Sequence, residues 1–563
     1  MFDSVWIEIS KCNISNSLPD AIKRARPWVN DPCFLDPSLV FLNDPFLFND
    51  MGKAVDLIDN AVKNNHMICI YGDYDADGLT SAAIMVDFLS RQGALVDKII
   101  PNRFDDGYGL NMESAVQIVE SGINLVITTD CGISAIDEIR YLKQNNVKVL
   151  VSDHHQAPDT LPEADAIVCC SRPDNKYPFS HLSGAGVAFK IVQALCEIWG
   201  KCNDYLEYLP LAALGTVADI VPLTGENRVI VKNGLESIER GENTGISALL
   251  EKAGSDYGKV SSYALGFIVG PRINAAGRMG DPLKAFDILT EKDDEKALGM
   301  ASFLSALNNR RRDEQNKVVA LIKEIMRNDK NLMDSPVIVA GEHDINRGVI
   351  GIVASKICEE YNKPAIIFSI SDGIAVGSGR STGDFSLIES LRRCGCMLLK
   401  YGGHKMAAGV ELDECRIGEF RECLAEYAHS NGIETGGKPR IFIDALVGPA
   451  DITLANYSFL NSLEPYGKGN ERPLLSMHGV FLTDIRVIGK DRNHMSFKIN
   501  KGSICIKGIF FNSTEYVDKI RGNEEFDVAF HLELNDYMGR KSLQLNIVDI
   551  RIHVGTQSVA EII

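Results

Sequence analysis

Three aspartates in five residues, placed straight after an apolar run, constrain this chain more than any other stretch. From His66 to Thr80 it reads HMICIYGDYDADGLT: Met67 to Tyr71 are mostly apolar, Asp73, Asp75 and Asp77 occupy every second position, and beyond Gly78 the mostly apolar run Ala82 to Leu89 can form a helix. The order is strand, acidic loop, helix. Ligands of an open parallel sheet collect beyond the carboxyl ends of its strands, so this loop is where chemistry is expected. Carboxylates this close repel one another unless a cation neutralises them, and one or two divalent metal ions would serve. A solvated acidic turn or an isolated calcium-like loop is the alternative that this stretch alone leaves open.

The surrounding pattern narrows the choice. Strand and helix signals alternate: strand 66–71, helix 80–92, strand 96–100, helix 111–120, strand 124–129, helix 134–144, strand 147–152. Such alternation predicts a parallel sheet covered on both faces. The strand Leu125 to Thr129 ends in Asp130-Cys131-Gly132, and Val147 to Ser152 ends in Asp153-His154-His155. Carboxylates and imidazoles are thereby expected at one sheet edge, where they can converge on metal. Further on, the largely apolar helix Leu206 to Leu214 runs into Gly215-Thr216-Val217-Ala218-Asp219. An acid in an apolar setting costs several kcal/mol unless something cationic meets it. A helix cap or a salt-bridged core aspartate is the other reading of Asp219.

At 563 residues the chain is too long for one core, and three or four domains are expected. Its 45% hydrophobic and 24% charged residues are ordinary for a globular protein. No apolar run approaches the roughly 18 residues of a membrane span, and MFDSVWIEIS lacks the regions of a signal peptide, so a cytoplasmic location without membrane contact is expected. The fourteen cysteines are scattered and read as reduced thiols; Cys169-Cys170 and Cys394-Gly395-Cys396 lack zinc-knuckle spacing. A net charge of -18 argues against a non-specific nucleic-acid coat, but not against an enzyme with basic residues in one cleft.

Taken in order, DYDADG, TTDCG, DHH and GTVAD resemble the four motifs of the DHH phosphoesterase superfamily, whose members are phosphodiesterases and inorganic pyrophosphatases. Together with the downstream motifs, DYDADG is most similar to the branch of bacterial single-strand-specific DNA exonucleases that work from the 5′ end; the resemblance runs over about residues 65 to 555. It implies that Asp75, Asp77, Asp130, His154 and Asp219 hold metal, Asp130 bridging two ions, and that His155 lies near the scissile phosphate. Asp153 matches a supporting residue, and Asp73, as metal ligand or support, sits where many phosphatase-type relatives carry Asn. Tyr71 stands where pyrophosphatase-like members have a metal-binding His, which leaves one metal with fewer protein ligands. Carboxylate and imidazole without thiolate favour two divalent cations, Mn2+ or Mg2+, over zinc. Two such ions about 3.5 to 4 Å apart would clamp a phosphate and activate water, so no covalent intermediate is expected.

Arg103 follows the strand at 96–100, and Leu182-Ser183-Gly184-Ala185-Gly186 reads as close backbone packing at a helix start. Gly270-Pro271-Arg272-Ile273-Asn274-Ala275-Ala276-Gly277-Arg278 brings two arginines into a segment of small residues; by the resemblance Arg103 and Arg278 face the nucleic acid and its 5′-phosphate, with Arg272 a further candidate. Residues 291 to 330 read as a long helix that is polar in its middle, which suits a bridge between lobes. Beyond it, Val376-Gly377-Ser378-Gly379-Arg380-Ser381 and Tyr401-Gly402-Gly403-His404-Lys405-Met406-Ala407-Ala408-Gly409 can bind anions. This lobe resembles the DHHA1 domain, which implies that Ser378 and Arg380 grip a terminal phosphate and Gly403 and His404 one nearer the metals. Ile345-Asn346-Arg347-Gly348 departs from the relatives' Trp-His-Pro-Gly, with His343 close by. From about 437, short alternating strands fit a small barrel of the OB type, with Lys490, Arg492, Phe511, Tyr537, Arg540 and Lys541 as basic and aromatic candidates.

The expected fold class is multidomain α/β: a parallel-sheet DHH domain and an α/β DHHA1 domain joined by a long helix, followed by a β-barrel OB domain. The expected divisions are an N-terminal arm (1–45) packed on the domain after it, a catalytic domain (46–290), a connecting helix (291–334), a substrate-binding domain (335–432), a nucleic-acid-binding barrel (437–555) and a tail (556–563). The resemblance implies a monomer that hydrolyses single-stranded DNA from the 5′ end to nucleoside 5′-monophosphates in repair and recombination. Single-strand-binding protein, a helicase or mismatch-repair factors are the implied partners. The competing readings are a phosphodiesterase of short oligonucleotides or cyclic dinucleotides, and a non-catalytic DNA-binding scaffold on the same fold.

Overall fold

The computed structural model describes residues 4–10, 17–102, 109–255, 259–433, 438, 440–502, 504–520, 524–537 and 540–554. The expected tail at 556–563 lies outside them. Two compact units result: one runs from Ser38 to Gly437, and the other combines Met1–Pro37 with Lys438–Ile563.

In the larger unit, five parallel strands lie in the order Leu95–Ile99, Met67–Gly72, Leu125–Thr129, Lys148–Asp153, Ala166–Cys169. Alternate strand residues enter two apolar clusters. Ile68, Ile70, Ile127 and Leu150 face one way, and Cys69, Tyr71, Val126 and Val149 the other, so helices cover both faces as a parallel sheet requires. The helix after the acidic loop begins earlier than the apolar run suggests, at Ala76 instead of 80, because Asp75 caps it: its carboxylate accepts the backbone N–H groups of Asp77 and Gly78.

The connecting helix is a single element, Asp294–Asn328, about 50 Å long at 1.5 Å per residue. Its first half buries Ala297, Ala301 and Leu304 in the core beside the parallel sheet, and its second half buries Val318, Val319, Ile322 and Met326 in the core of the next lobe. The polar run between them belongs to neither core, and the bridge is accordingly anchored at both ends. The next lobe holds a mixed sheet in which Ile338–His343 pairs parallel with Ala365–Ser371, followed by antiparallel Ile374–Arg380, Ala407–Asp413 and Lys400–Gly403. One expectation fails here. Cys394, at the end of helix Leu387–Arg393, forms a disulfide with Cys423 in helix Ile417–Ser430, because those helices pack side by side on one face of this sheet and bring the Cα atoms to 6.3 Å.

In the smaller unit, Leu475–Ile488, His494–Lys501, Ile504–Phe510, Arg540–Ile552 and Glu525–Tyr537 close into a five-stranded barrel through the pairing of its first and last members. A sixth, short strand, Ala445–Leu446, extends it. The described residues up to 37 group with this barrel and not with the domain that comes after them in sequence, since Val5–Glu8 finds its hydrogen-bond partner in the parallel strand Arg440–Ile443. Trp6 donates its indole N–H to Asp549 and lies beneath the Arg551 guanidinium. Arg26 is buried and makes a two-point ion pair with Asp444, 2.6 and 2.9 Å. Removing one member of a buried pair strands the other. Asp444→Ala should therefore destabilise this unit by about 3–5 kcal/mol, measured as faster hydrogen exchange of barrel amides, with exchange in the parallel sheet unchanged.

Candidate metal centre

Four chain segments deliver acids and imidazoles to the carboxyl edge of the parallel sheet. Asp73 and Asp75 lie in the loop after Met67–Gly72, and Asp77 in the first turn of the helix that Asp75 caps. Asp130 follows Leu125–Thr129, and its backbone adopts a left-handed φ of 62° that aspartate tolerates better than most residues. His154 and His155 follow Lys148–Asp153, and Asp219 ends the helix Leu209–Ala218.

The side chains meet in three overlapping sets: Asp73, Asp75 and Asp130; Asp77, His154 and Asp219; and Asp130, His154 and His155. In each set one ligand atom per residue lies within 4.8 Å of the others. His154 Nε2 stands 3.1 Å from Asp130 Oδ1, 3.6 Å from Asp219 Oδ2 and 3.8 Å from Asp77 Oδ2. Asp130 Oδ1 and His154 Nε2 are buried, and neither completes a hydrogen bond among the described residues. A buried donor set in that condition fits a cation better than it fits solvent.

Charge crowding is visible in the titration of these groups. Burial, then the charges of Asp77, Asp75, Asp219 and Asp73, raises Asp130 well above the usual carboxylate range. Burial and Asp75 push Asp77 up to about 6, against the N–H groups of Ala185 and Gly184. Burial and the neighbouring His155 lower His154 to about 4, so at neutral pH its ring is an uncharged donor. His155 goes the other way: burial opposes its charge, but the hydrogen bond and charge of Asp153, with Asp219 and Asp77, raise it to about 9.

The supports lie one layer out. Asp153 Oδ1 accepts from His155 Nδ1 at 2.8 Å and from the backbone N–H groups of both histidines, while Oδ2 accepts from Ile133 N–H. Asp77 accepts from Gly184 N–H at 2.6 Å and Ala185 N–H at 2.9 Å, the first turn of the helix Gly184–Trp199. Side chains larger than hydrogen are excluded at two points. A Cβ on Gly184 would lie 2.6 Å from Asp130 Oδ1, and one on Gly215 would lie 2.5 Å from Asp77 Oδ1. The Ser-Gly-Ala-Gly run, read as packing alone, therefore also feeds N–H groups into the site; its signal was the N-cap Ser183. Asn274, whose side chain accepts from Ala76 N–H at 2.8 Å, carried no comparable signal. Tyr71 is buried and donates to the Gly109 carbonyl at 3.0 Å.

The anion candidates gather around the first turn of the helix Arg347–Tyr361. Arg278 donates to the Gly348 carbonyl at 3.2 Å, and a Cβ on Gly351 would lie 3.1 Å from Ser378 Oγ and 3.3 Å from Arg380 Nη2. Arg380 also donates to Ser378 Oγ. Gly403 pairs with Ala408 and Ala407 with Arg380, which sets Gly403 and exposed His404 at the same end of the sheet. Arg272 is turned elsewhere, donating to Ser305 on the connecting helix and to the Ile268 carbonyl. Asn346 caps the helix through Gly348 N–H at 2.7 Å, and His343 is 3.0 Å from Glu414. Arg103 lies outside the described residues, as do the side chains of Tyr537 and Arg540 in the barrel.

Known proteins resemble this chain in sequence and fold. The chain matches the DHH family, N-terminal domain, over residues 67–216, the DHHA1 domain over 334–430 and the RecJ OB domain over 443–549. It is 34% identical to the single-stranded-DNA-specific exonuclease RecJ of Dickeya dadantii over 96% of this chain and 97% of that one. It is 36% identical to the protein of that name from Bacillus subtilis over 90% of its own length, which spans 64% of that relative. The crystal structure of RecJ in complex with Mn2+ from Thermus thermophilus superposes with a TM-score of 0.83 at 31% identity, covering 98% of this chain and 80% of that one. A second structure of that protein, with Mg2+, gives a TM-score of 0.76 at 29% identity over 98% of this chain and 78% of that one.

Because Asp153 holds both histidines, Asp153→Asn should weaken Mn2+ binding by about 10- to 100-fold, measured by calorimetry. The same change should lower the pKa of His155 from about 9, read by NMR titration of its ring protons.

Proposed function

The chain belongs to the RecJ family of single-stranded-DNA-specific exonucleases, and we propose that it hydrolyses single-stranded DNA from the 5′ end, releasing nucleoside 5′-monophosphates, at the acid and imidazole cluster of the parallel sheet. The observation that carries this reading is the sharing of Asp130 between overlapping donor sets. Asp77, His154 and Asp219 would hold one divalent cation, Asp73 and Asp75 a second, and Asp130 both. Bound there, two Mn2+ or Mg2+ ions supply Lewis acidity to the phosphate and acidify the attacking water.

The chain's own groups do the rest. His154 stays neutral and so keeps a lone pair for a cation, while His155, charged at neutral pH through Asp153, offsets negative charge at the scissile phosphate. Arg278, Ser378 and Arg380 grip the terminal phosphate, and Gly403 with His404 hold a phosphate nearer the cluster. Arginine suits this because its fork gives two hydrogen bonds to phosphate oxygens. Water attacks phosphorus, the P–O3′ bond breaks, and the leaving 3′ oxygen takes up a proton. The connecting helix sets the spacing of the two lobes and so limits the width available to the substrate. The enzyme works as a monomer in the cytoplasm, beside single-strand-binding protein, a helicase or mismatch-repair factors that supply its single strands.

Purified protein with Mn2+ or Mg2+ should degrade 5′-phosphorylated single-stranded DNA and leave blunt duplex and a cyclic dinucleotide largely intact. Equal digestion of duplex and single strand would sink the proposal. Asp130→Ala should abolish turnover while circular dichroism is unchanged; activity near that of the parent would remove Asp130 from the centre.

A further inference from the structure

Tyr263 and Phe267 are 65% and 69% exposed, and their rings stack on each other with centroids 4.7 Å apart and planes 22° from parallel. Phe267 stands on a turn of π-helix, Leu265–Val269, and Tyr263 on the short helix Ser262–Ala264 that leads into it; the helix Gly270–Met279 follows. This turn directs its other residues inward. Leu265 and Val269 are buried, and a Cβ on Gly266 would lie 3.3 Å from Val217 Cγ1. Turns of π-helix are rare and occur frequently at functional sites.

The turn rests against the end of the helix that delivers Asp219. Val217 touches it, Asp219 follows two residues later, and Ile220 is 65% exposed with a φ of 58°, a conformation that a β-branched residue rarely adopts. An exposed apolar side chain, Ile220, therefore sits one residue from a carboxylate of the cluster, and the turn that carries Phe267 packs against the same helix. The same stretch continues to Asn274, which holds the acidic loop, and to Arg278, which reaches the second lobe. Two stacked rings left in water, carried by a segment that packs on the helix delivering Asp219, match a ligand that carries phosphates on one side and flat apolar faces on the other. Unpaired nucleobases are such a ligand; in a duplex those faces are already stacked and unavailable.

We propose that Tyr263 and Phe267 form a stacking platform for one or two unpaired bases of the strand whose phosphate is held at the acid cluster. The inference rests on the single-strand exonuclease reading. It makes strand selectivity a matter of base availability as well as of width.

The test uses the full chain with Mn2+ and a 5′-phosphorylated oligothymidylate carrying one abasic site at successive positions. Replacing both residues, Tyr263→Leu with Phe267→Leu, should raise KM by at least about 5- to 150-fold, the range set by losing one base stack, while Phe267→Tyr should leave it near the parent value. One abasic position should raise the parent's KM by a similar factor and the double variant's by less than twofold, because the contact it removes is already gone. Mn2+ binding by calorimetry should be the same in parent and double variant. An unchanged KM, an equal abasic penalty in both proteins, loss of Mn2+ binding, or a parent dimer that the double variant dissolves would each overturn the platform. If the parent itself degrades no single strand, the exonuclease reading fails instead.

Discussion

Mutual repulsion among carboxylates held out of water is the constraint to which this unit's architecture answers. Asp73, Asp77 and Asp130 are almost fully buried, and Asp75 and Asp219 stand beside them. At the low effective dielectric of such a place, neighbouring like charges cost far more than they would in solvent. Every element nearby supplies some compensation. The helix Gly184–Trp199 points two backbone N–H groups at Asp77, which is the positive end of a helix used against an anion. Asp153 takes up the imidazole of His155, while burial and the charge of His155 keep His154 uncharged, so the two adjacent histidines fall into opposite protonation states. What remains uncompensated is the demand for cations.

The second lobe presents the complementary condition. At the first turn of the helix Arg347–Tyr361, Arg278 reaches the Gly348 carbonyl, while Arg380, which donates to the Ser378 hydroxyl, comes close to Gly351. A polyanion can meet one lobe through cations and the other through donors of the chain itself. The connecting helix keeps these two regimes apart. Each half is rooted in a different apolar core, so its polar middle needs no partner to stay helical.

Much of this was legible along the chain wherever the signal was local. Strand runs such as Leu125–Thr129 and Lys148–Asp153 were bounded within a residue or two, because a buried parallel strand is a short apolar run with a clear end. The acids at those ends were legible for the same reason. Features that depend on distant segments were not. The helix after the acidic loop starts four residues sooner than its apolar pattern because a side-chain cap, and not hydrophobicity, sets its start. Arg272 and Arg278 share one helix yet diverge, the first held by Ser305 and the second reaching Gly348, a distinction made only by which neighbours pack alongside. The cysteine pair and the strand partner of Val5–Glu8 depend on encounters across the chain that no local pattern encodes.

That last pairing bears on how the molecule is made. Val5–Glu8 is synthesised long before its hydrogen-bond partner Arg440–Ile443. Until then it has an open edge and no sheet. Closing so long a loop in a random coil would carry an entropic penalty that grows only as the logarithm of its length. Here the intervening chain forms a compact body of its own, so the distance to be closed shrinks before the closing segment exists. The barrel strands all follow Arg440, so they are synthesised after that body, and Val5–Glu8 waits until then for its partner strand.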